Sequence, residues 1–76
     1  MDKLLKILKR VKPDVDFAVS NNLIDEGILD SVDIVSIISE IETEYSIEIE
    51  PDEIEADNFQ SALAILNMIK KVMENN

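Results

Sequence analysis

The sequence predicts an all-α fold, a small four-helix bundle with three main helices and one short helix. Apolar residues recur three times at the i, i+3, i+4, i+7 spacing of an amphipathic helix. Strand-like alternation of apolar and polar residues is scarce, which favours helices packed on helices. The length of 76 residues suits one small core, so we expect a single domain over residues 1–76.

The first helix is expected at about 2–12. Its apolar stripe consists of Leu4, Ile7, Leu8 and Val11. Pro13 closes it, because the residue before a proline is pushed out of the α region. Residues 14–29 then form a connection with one glycine, and loops of this length in small domains are often functional. The apolar residues that can tie it to the bundle are Phe17, Val19, Leu23, Ile24, Ile28 and Leu29.

The second helix is expected at about 31–45. Its stripe consists of Ile34, Ile37, Ile38, Ile41 and Tyr45. Asp30 or Ser31 can cap it, since either side chain can accept hydrogen bonds from amides of the first turn. Asp33 adds negative charge at the positive end of the helix.

A short third helix is expected near 52–56, because Pro51 and the two acids after it suit a helix start. Its expected core anchors are Ile54 and Phe59. The last helix is expected at about 61–73. Its candidate N-caps are Ser61 and Asn58. Its stripe consists of Ala62, Ile65, Leu66, Ile69 and Met73.

The charge of the chain is strongly negative and unevenly distributed. The net charge is -10, and fifteen acids but no basic residue lie between Pro13 and Ile69. The basic residues are Lys3, Lys6, Lys9, Arg10, Lys12, Lys70 and Lys71. Such a surface should repel nucleic acid and anionic lipid and attract basic protein surfaces. The charge can equally serve only to keep a small domain soluble.

The residue inventory argues against an enzyme. The chain has no cysteine and no histidine, which removes disulfides, zinc sites and most catalytic constellations. No lysine lies within eighteen residues of Ser31 in the sequence to act as its base. Lysines interrupt the first apolar stretch, so we expect neither a signal peptide nor membrane insertion. The expectation is therefore a cytoplasmic, monomeric, non-catalytic domain.

A calcium site is an alternative use of so many carboxylates. Asp14 and Asp16 begin like an EF-hand loop. The pattern then departs, since Val19 stands where the loop needs glycine and Asp25 where it needs glutamate. We therefore expect no metal.

The stretch GILDSVDIV, residues 27–35, draws attention to Ser31. A serine in the first turn of a helix suits a phosphate ester, because free amides and the helix dipole stabilise negative charge there. An ordinary N-cap serine is the other interpretation. Val32 and Val35 fall off the apolar stripe at about 100° per residue, so they either form a docking surface or pack under the 14–29 loop. The pattern leaves both alternatives open.

Beyond this stretch, LIDEGILDSVDIVSIISEIETEYSIEI resembles the loop and second helix of the acyl carrier protein family and its aminoacyl-carrying relatives. The resemblance covers roughly residues 17–72 and implies a four-helix bundle of the acyl-carrier type. In that family the serine of an Asp-Ser-Leu motif carries phosphopantetheine, and the motif here is Asp30-Ser31-Val32.

The resemblance implies that a phosphopantetheinyl transferase attaches the arm covalently to Ser31, and that Asp30 helps this transferase engage. The arm ends in a thiol, which holds cargo as a thioester. The implied partners are an AMP-forming acyl or aminoacyl ligase and acyltransferase or synthase enzymes with basic surfaces. The implied partner-binding residues are Val32, Asp33, Val35, Glu40 and Glu42.

Two features resemble D-alanyl carrier proteins and other free-standing carriers. Gly27 lies four residues before Ser31, and IEADNFQSALAI places an aromatic residue two before a hydroxyl residue. The cargo stays open between D-alanine, another amino acid and a fatty or specialised acyl group. An acidic helical interaction domain without a prosthetic group is the alternative function.

Overall fold

The computed structural model describes residues 1–74, and three α-helices form its framework. These are α1 (Asp2–Val11), α2 (Ser31–Tyr45) and α3 (Ala62–Glu74). Two short 3-10 helices, Pro51–Glu53 and Ala56–Phe59, lie between α2 and α3. No strand occurs within residues 1–74. The predicted all-α class is confirmed, and each main helix starts and ends within one residue of its predicted bounds.

The predicted short helix near 52–56 is wrong as a single element. The backbone turns out of the helical region at Ile54, where ψ is 75°, and this separates the two 3-10 helices. Phe59 is a core anchor as predicted, with its side chain fully buried. Ile54 is not an anchor, because 45% of it is exposed at the break between the two turns.

The core lies where α1, α2 and α3 meet, and it is filled by apolar side chains. Its fully buried members include Leu4, Ile7, Leu8, Leu23, Ile37, Ile41, Phe59 and Ile65. Two predicted core residues lie outside it: Val19 in the loop is 69% exposed, and Met73 is 51% exposed. Val72 is buried in place of Met73, because the buried face continues from Ile69 at i+3 rather than i+4.

Charged residues of α1 fasten it to α2. From the start of α2 to its end, the contacts are Lys12 Nζ to Asp33 Oδ2 at 3.2 Å, Arg10 to Glu40 at 3.5 Å, and Lys3 Nζ to the Glu44 carbonyl at 2.7 Å. Because the last residues of α1 meet the first turn of α2, the helices run antiparallel. Lys3 also lies 4.5 Å above the Tyr45 ring, so it supplies positive charge at the C-terminus of α2, whose last turn has none.

No helix within residues 1–74 has the length and apolar character needed to cross a membrane.

Candidate functional site

Ser31 is the first residue of α2, and its side chain is exposed. Asp30, not Ser31, is the N-cap of this helix. The interpretation of Ser31 as an ordinary N-cap is therefore wrong. No residue in the described part of the chain hydrogen-bonds the Ser31 hydroxyl, so its oxygen is open to a reacting group from solvent.

Asp30 and Asp33 form a reciprocal capping box around Ser31. The Asp33 amide donates to Oδ1 of Asp30 at 2.9 Å, and the Asp30 amide donates to Oδ2 of Asp33 at 3.2 Å. The hydrogen bond from the Asp33 amide is the main cause that holds the pKa of Asp30 below its ordinary value. The Asp33 side chain, Lys12 and the Val32 amide lower this pKa further.

This box corrects one expectation about the first turn of α2. The amides there were expected to be free to receive negative charge on Ser31. The Asp33 amide is instead already bonded to the Asp30 carboxylate. The Asp33 amide is therefore not free to face additional negative charge at Ser31, whereas the helix dipole or a nearby cation can still stabilise such charge.

Lys12 is a cation at this end of α2, although it is distant from Ser31 in the sequence. Lys12 lies nineteen residues before Ser31 in the chain, yet its ammonium is 3.2 Å from Oδ2 of Asp33. The antiparallel packing of α1 on α2 brings the end of α1 to the start of α2. Lys12 thus belongs to the surroundings of Ser31, and only the fold brings it there.

Gly27 forms the turn that leads the loop into α2. Its φ is +70°, a left-handed conformation that residues with a side chain rarely adopt. A Cβ at this position would meet no atom within 4 Å, so the backbone conformation, and not lack of space, calls for glycine. The carbonyl of Leu23 closes the turn by accepting from the Ile28 and Leu29 amides at 2.9 and 3.0 Å.

Gln60 connects this loop to the segment before α3. Its Oε1 accepts from the Ile24 amide at 3.1 Å, and its Nε2 donates to Oδ1 of Asp25 at 3.0 Å. Its carbonyl accepts from the Leu23 amide at 2.9 Å. Nothing in the spacing or composition singled out Gln60, because its contacts span 35 or more residues.

The two valines of the predicted partner-binding set lie on the surface. Val32 is 71% exposed and Val35 is 66% exposed. The alternative that both pack under the 14–29 loop is therefore wrong. Exposed apolar side chains beside the attachment residue offer contact area to a visiting protein.

The three acids of that set each contact another part of the chain. Asp33 bonds to Asp30 and Lys12, as described above. Glu40 pairs with Arg10 at 3.5 Å. Glu42 accepts from the Ile49 amide at 2.9 Å and so fastens the segment that follows α2.

The Asp16 carboxylate, which the EF-hand alternative assigned to a calcium loop, takes part in a local turn. Oδ1 of Asp16 accepts from the Ala18 amide at 3.2 Å, an Asx-type contact. Within residues 1–74, no group of three or more His, Cys, Asp or Glu side chains is arranged to hold a metal ion.

The model of the family described as phosphopantetheine attachment site matches residues 2–70. The chain belongs to this family. The match spans α1, α2 and most of α3. No curated protein matched the chain.

Membership of the phosphopantetheine attachment site family makes the chain a carrier domain and not itself an enzyme. Its cofactor is phosphopantetheine, and such domains interact with a transferase and with synthase or ligase enzymes. The chain's own residues fit this group, because the exposed Ser31 hydroxyl stands at the start of α2, where the Lys12 ammonium also contacts Asp33.

Proposed function

We propose that Ser31 carries the phosphopantetheine arm and that residues 1–76 act as one carrier domain, a cytoplasmic monomer that presents acyl or aminoacyl cargo to partner enzymes. The observation that carries the proposal is the exposed hydroxyl of Ser31 at the first residue of α2, inside the region that matches the family. When bound, the arm supplies a thiol on which the cargo is held as a thioester.

The attachment uses the Ser31 hydroxyl as the nucleophile. Its oxygen forms a bond to the phosphorus of coenzyme A that bears the pantetheine. The bond between this phosphorus and the bridging oxygen of the pyrophosphate breaks, and the adenine nucleotide leaves. The hydroxyl proton passes to a base of the transferase. Asp30 holds the first turn in place and offers its carboxylate to that transferase.

The attachment can be tested by measuring the mass of the intact protein after incubation with a phosphopantetheinyl transferase and coenzyme A. We expect the wild type to gain one phosphopantetheine and Ser31→Ala to gain none. Ser36→Ala is the matched control, because Ser36 is also an exposed serine of α2. It should load like the wild type.

Each other outcome points to a different function. If the wild type stays unmodified while a control carrier protein is modified in the same assay, the acidic interaction domain without a prosthetic group is favoured. Loading that persists in Ser31→Ala would assign the arm to another residue. A calcium-dependent gain in stability that survives Ser31→Ala would favour the calcium-binding module.

We propose that partner enzymes grip α2 beside Ser31. The exposed Val32 and Val35 would supply apolar contact. Asp33, Glu40 and Glu42 would supply the negative potential that attracts basic surfaces of the transferase, an AMP-forming ligase and acyltransferases or synthases. The net charge of -10 supports protein partners of this kind over nucleic acid.

For the cargo, we propose an amino acid of the D-alanyl type. The support is the position of Gly27 four residues before Ser31 and the resemblance of residues 54–65 to D-alanyl carriers. The two segments are also joined in the fold, since Gln60 bonds to the loop residues Ile24 and Asp25.

The cargo can be tested with the phosphopantetheine-bearing protein and an AMP-forming ligase from the same genome. Intact mass should increase by one alanyl group when D-alanine and ATP are supplied. L-alanine and a short and a long fatty acid are the comparison substrates. Exclusive loading of a fatty acid would reject the proposal of an aminoacyl cargo. It would not contradict the proposal that the arm is attached to Ser31.

A further inference from the structure

A phosphodiester on Ser31 would add negative charge where two carboxylates already stand. Asp30 precedes Ser31 as the N-cap, and Asp33 follows Ser31 by two residues within the first turn of α2. The Asp33 amide, which could have faced the new anion, donates instead to Asp30. The helix dipole offers only a partial positive charge here, so a full cation at this end of α2 would stabilise the added negative charge further.

Lys12 is the cation at this end of α2. Its ammonium is 3.2 Å from Oδ2 of Asp33, and the same oxygen is 3.2 Å from the backbone nitrogen of Asp30. A single oxygen of Asp33 therefore contacts both the Lys12 ammonium and the backbone amide of Asp30, the residue before Ser31. Within residues 1–74, the other cations that contact α2 lie farther along it, with Arg10 at Glu40 and Lys3 at the end of the helix.

The position of Lys12 is fixed by its backbone. It is the C-cap of α1, where its amide donates to the Leu8 carbonyl at 2.9 Å and its carbonyl accepts from the Val15 amide at 3.2 Å. Its side chain is 37% exposed, so the ammonium can meet a group that arrives from solvent. An ammonium has three N–H donors, and Asp33 needs only one.

We propose that Lys12 binds the phosphodiester of the arm, with its ammonium donating to a phosphate oxygen while it stays beside Asp33. This inference rests on the proposed attachment at Ser31. It gives the end of α1 a function beyond packing, because the lysine there offsets the charge that modification adds. Lys12 then stabilises the modified protein more than the unmodified one.

The test compares the stability of modified and unmodified protein by urea unfolding. For each variant, the ratio of folded to unfolded protein with the arm is divided by the same ratio without it. We expect Lys12→Ala to lower this quotient about two- to fivefold relative to the wild type, the range of a partly exposed ion pair. The deficit should shrink as salt screens the charges.

Two further variants separate this role from a structural one. Lys12→Arg keeps the charge and should preserve the wild-type quotient. Lys9→Ala removes an exposed lysine of α1 that makes no ion pair within residues 1–74, and it should leave the quotient unchanged. If Lys12 served only to hold Asp33, Lys12→Ala would weaken both forms equally, and an unchanged quotient would overturn the inference.

A second measurement needs no variant and applies if Lys12→Ala fails to fold or to load. The side-chain nitrogen and Cε resonances of Lys12 are compared by NMR before and after modification of the wild type, with Lys9 as the reference. A larger shift at Lys12 supports the contact, and equal shifts overturn it. A wild type that never loads would instead reject the attachment at Ser31.

Discussion

At the scale of single residues, Asp30, Ser31 and Asp33 have three different roles. Asp30 caps α2, and Asp33 returns a hydrogen bond to the Asp30 amide. Ser31 therefore does not cap the helix, as a serine at a helix start often does. Because Asp30 and Asp33 bond each other's backbone amides, the Ser31 hydroxyl is not needed for capping and is available for the proposed attachment.

The lowered pKa of Asp30 predicts an acid-sensitive helix start. Hydrogen bonds to the ionised carboxylate lower its pKa in the folded protein, so its contribution is complete above the unfolded value, about 3.9. The contribution is lost as the pH falls through the folded pKa. Asp30→Asn keeps a good N-cap without this titration, so the wild type should lose more stability than the variant on acidification.

Thermal unfolding of both proteins from neutral pH to about pH 2.5 measures this difference, and an NMR titration of the Asp30 carboxyl locates its pKa. Equal losses of stability in the two proteins would mean that the carboxylate contributes no pH-dependent stability. The comparison with Asp30→Asn is needed because the chain contains sixteen other Asp and Glu residues, which are the same in both proteins.

At the scale of elements, the side chain of the distant Gln60 supports the loop before α2. We predict that Gln60→Ala loosens the turn, since it removes the acceptor for the Ile24 and Asp25 amides. The cost should be about 1 kcal/mol, because these bonds are partly exposed. Hydrogen exchange at those two amides should accelerate more than exchange in α3.

Asn67→Ala is a suitable control for this loop prediction, because Asn67 is an exposed amide residue of α3. It should leave exchange at Ile24 and Asp25 unchanged. If Gln60→Ala also leaves them unchanged, the turn is fixed by Gly27 and its own backbone hydrogen bonds alone.

The exposed face of α2 gives a second prediction at this scale. Val35→Lys should raise the KM of the transferase for this carrier, because it removes an apolar contact and repels a basic partner. The fold should stay intact, since surface substitutions usually change stability by no more than about 0.5 kcal/mol. Steady-state loading and circular dichroism measure the two effects.

Val19→Lys is the matched control, because Val19 is as exposed as Val35 but lies in the loop after α1. It should fold and load like the wild type. Unfolding of Val35→Lys would mean that Val35 supports the core. Equal effects of the two substitutions on KM would reflect net charge and not a docking face.

The sequence predicts well those helices whose apolar pattern lies within a single continuous segment. The stripes of α1 and α2 repeat within a single helix, so they identify the buried Leu4, Ile7 and Ile37. The start of α2 at Ser31, with a capping side chain at Asp30, follows from the same local pattern. The break at Ile54 depends on a backbone turn that apolar spacing does not record. Lys12 and Gln60 act across 21 and 36 residues, so their partners appear only once the helices are packed.

At the scale of the whole molecule, the seven basic residues do not form a positive surface that matches the negative surface of the seventeen acids. Four basic residues lie on α1 and a fifth, Lys12, is its C-cap; three of these five, Lys3, Arg10 and Lys12, contact α2 at Glu44, Glu40 and Asp33. These contacts offset only part of the negative charge on the side of α2 that faces α1. The loops and the segment after α2 carry most of the remaining negative charge, including the exposed Glu48 and Glu50.

This distribution predicts that loading slows as salt rises. The negative field should steer a basic transferase toward the carrier, and its range falls from about 10 Å at about 0.1 M salt to about 3 Å at about 1 M. Between about 0.05 and 0.5 M salt, kcat/KM should fall about tenfold, whereas kcat should change little because steering acts before docking. Doubly substituted Glu48→Gln/Glu50→Gln should show a shallower dependence. A kcat/KM that is flat across salt would exclude electrostatic guidance.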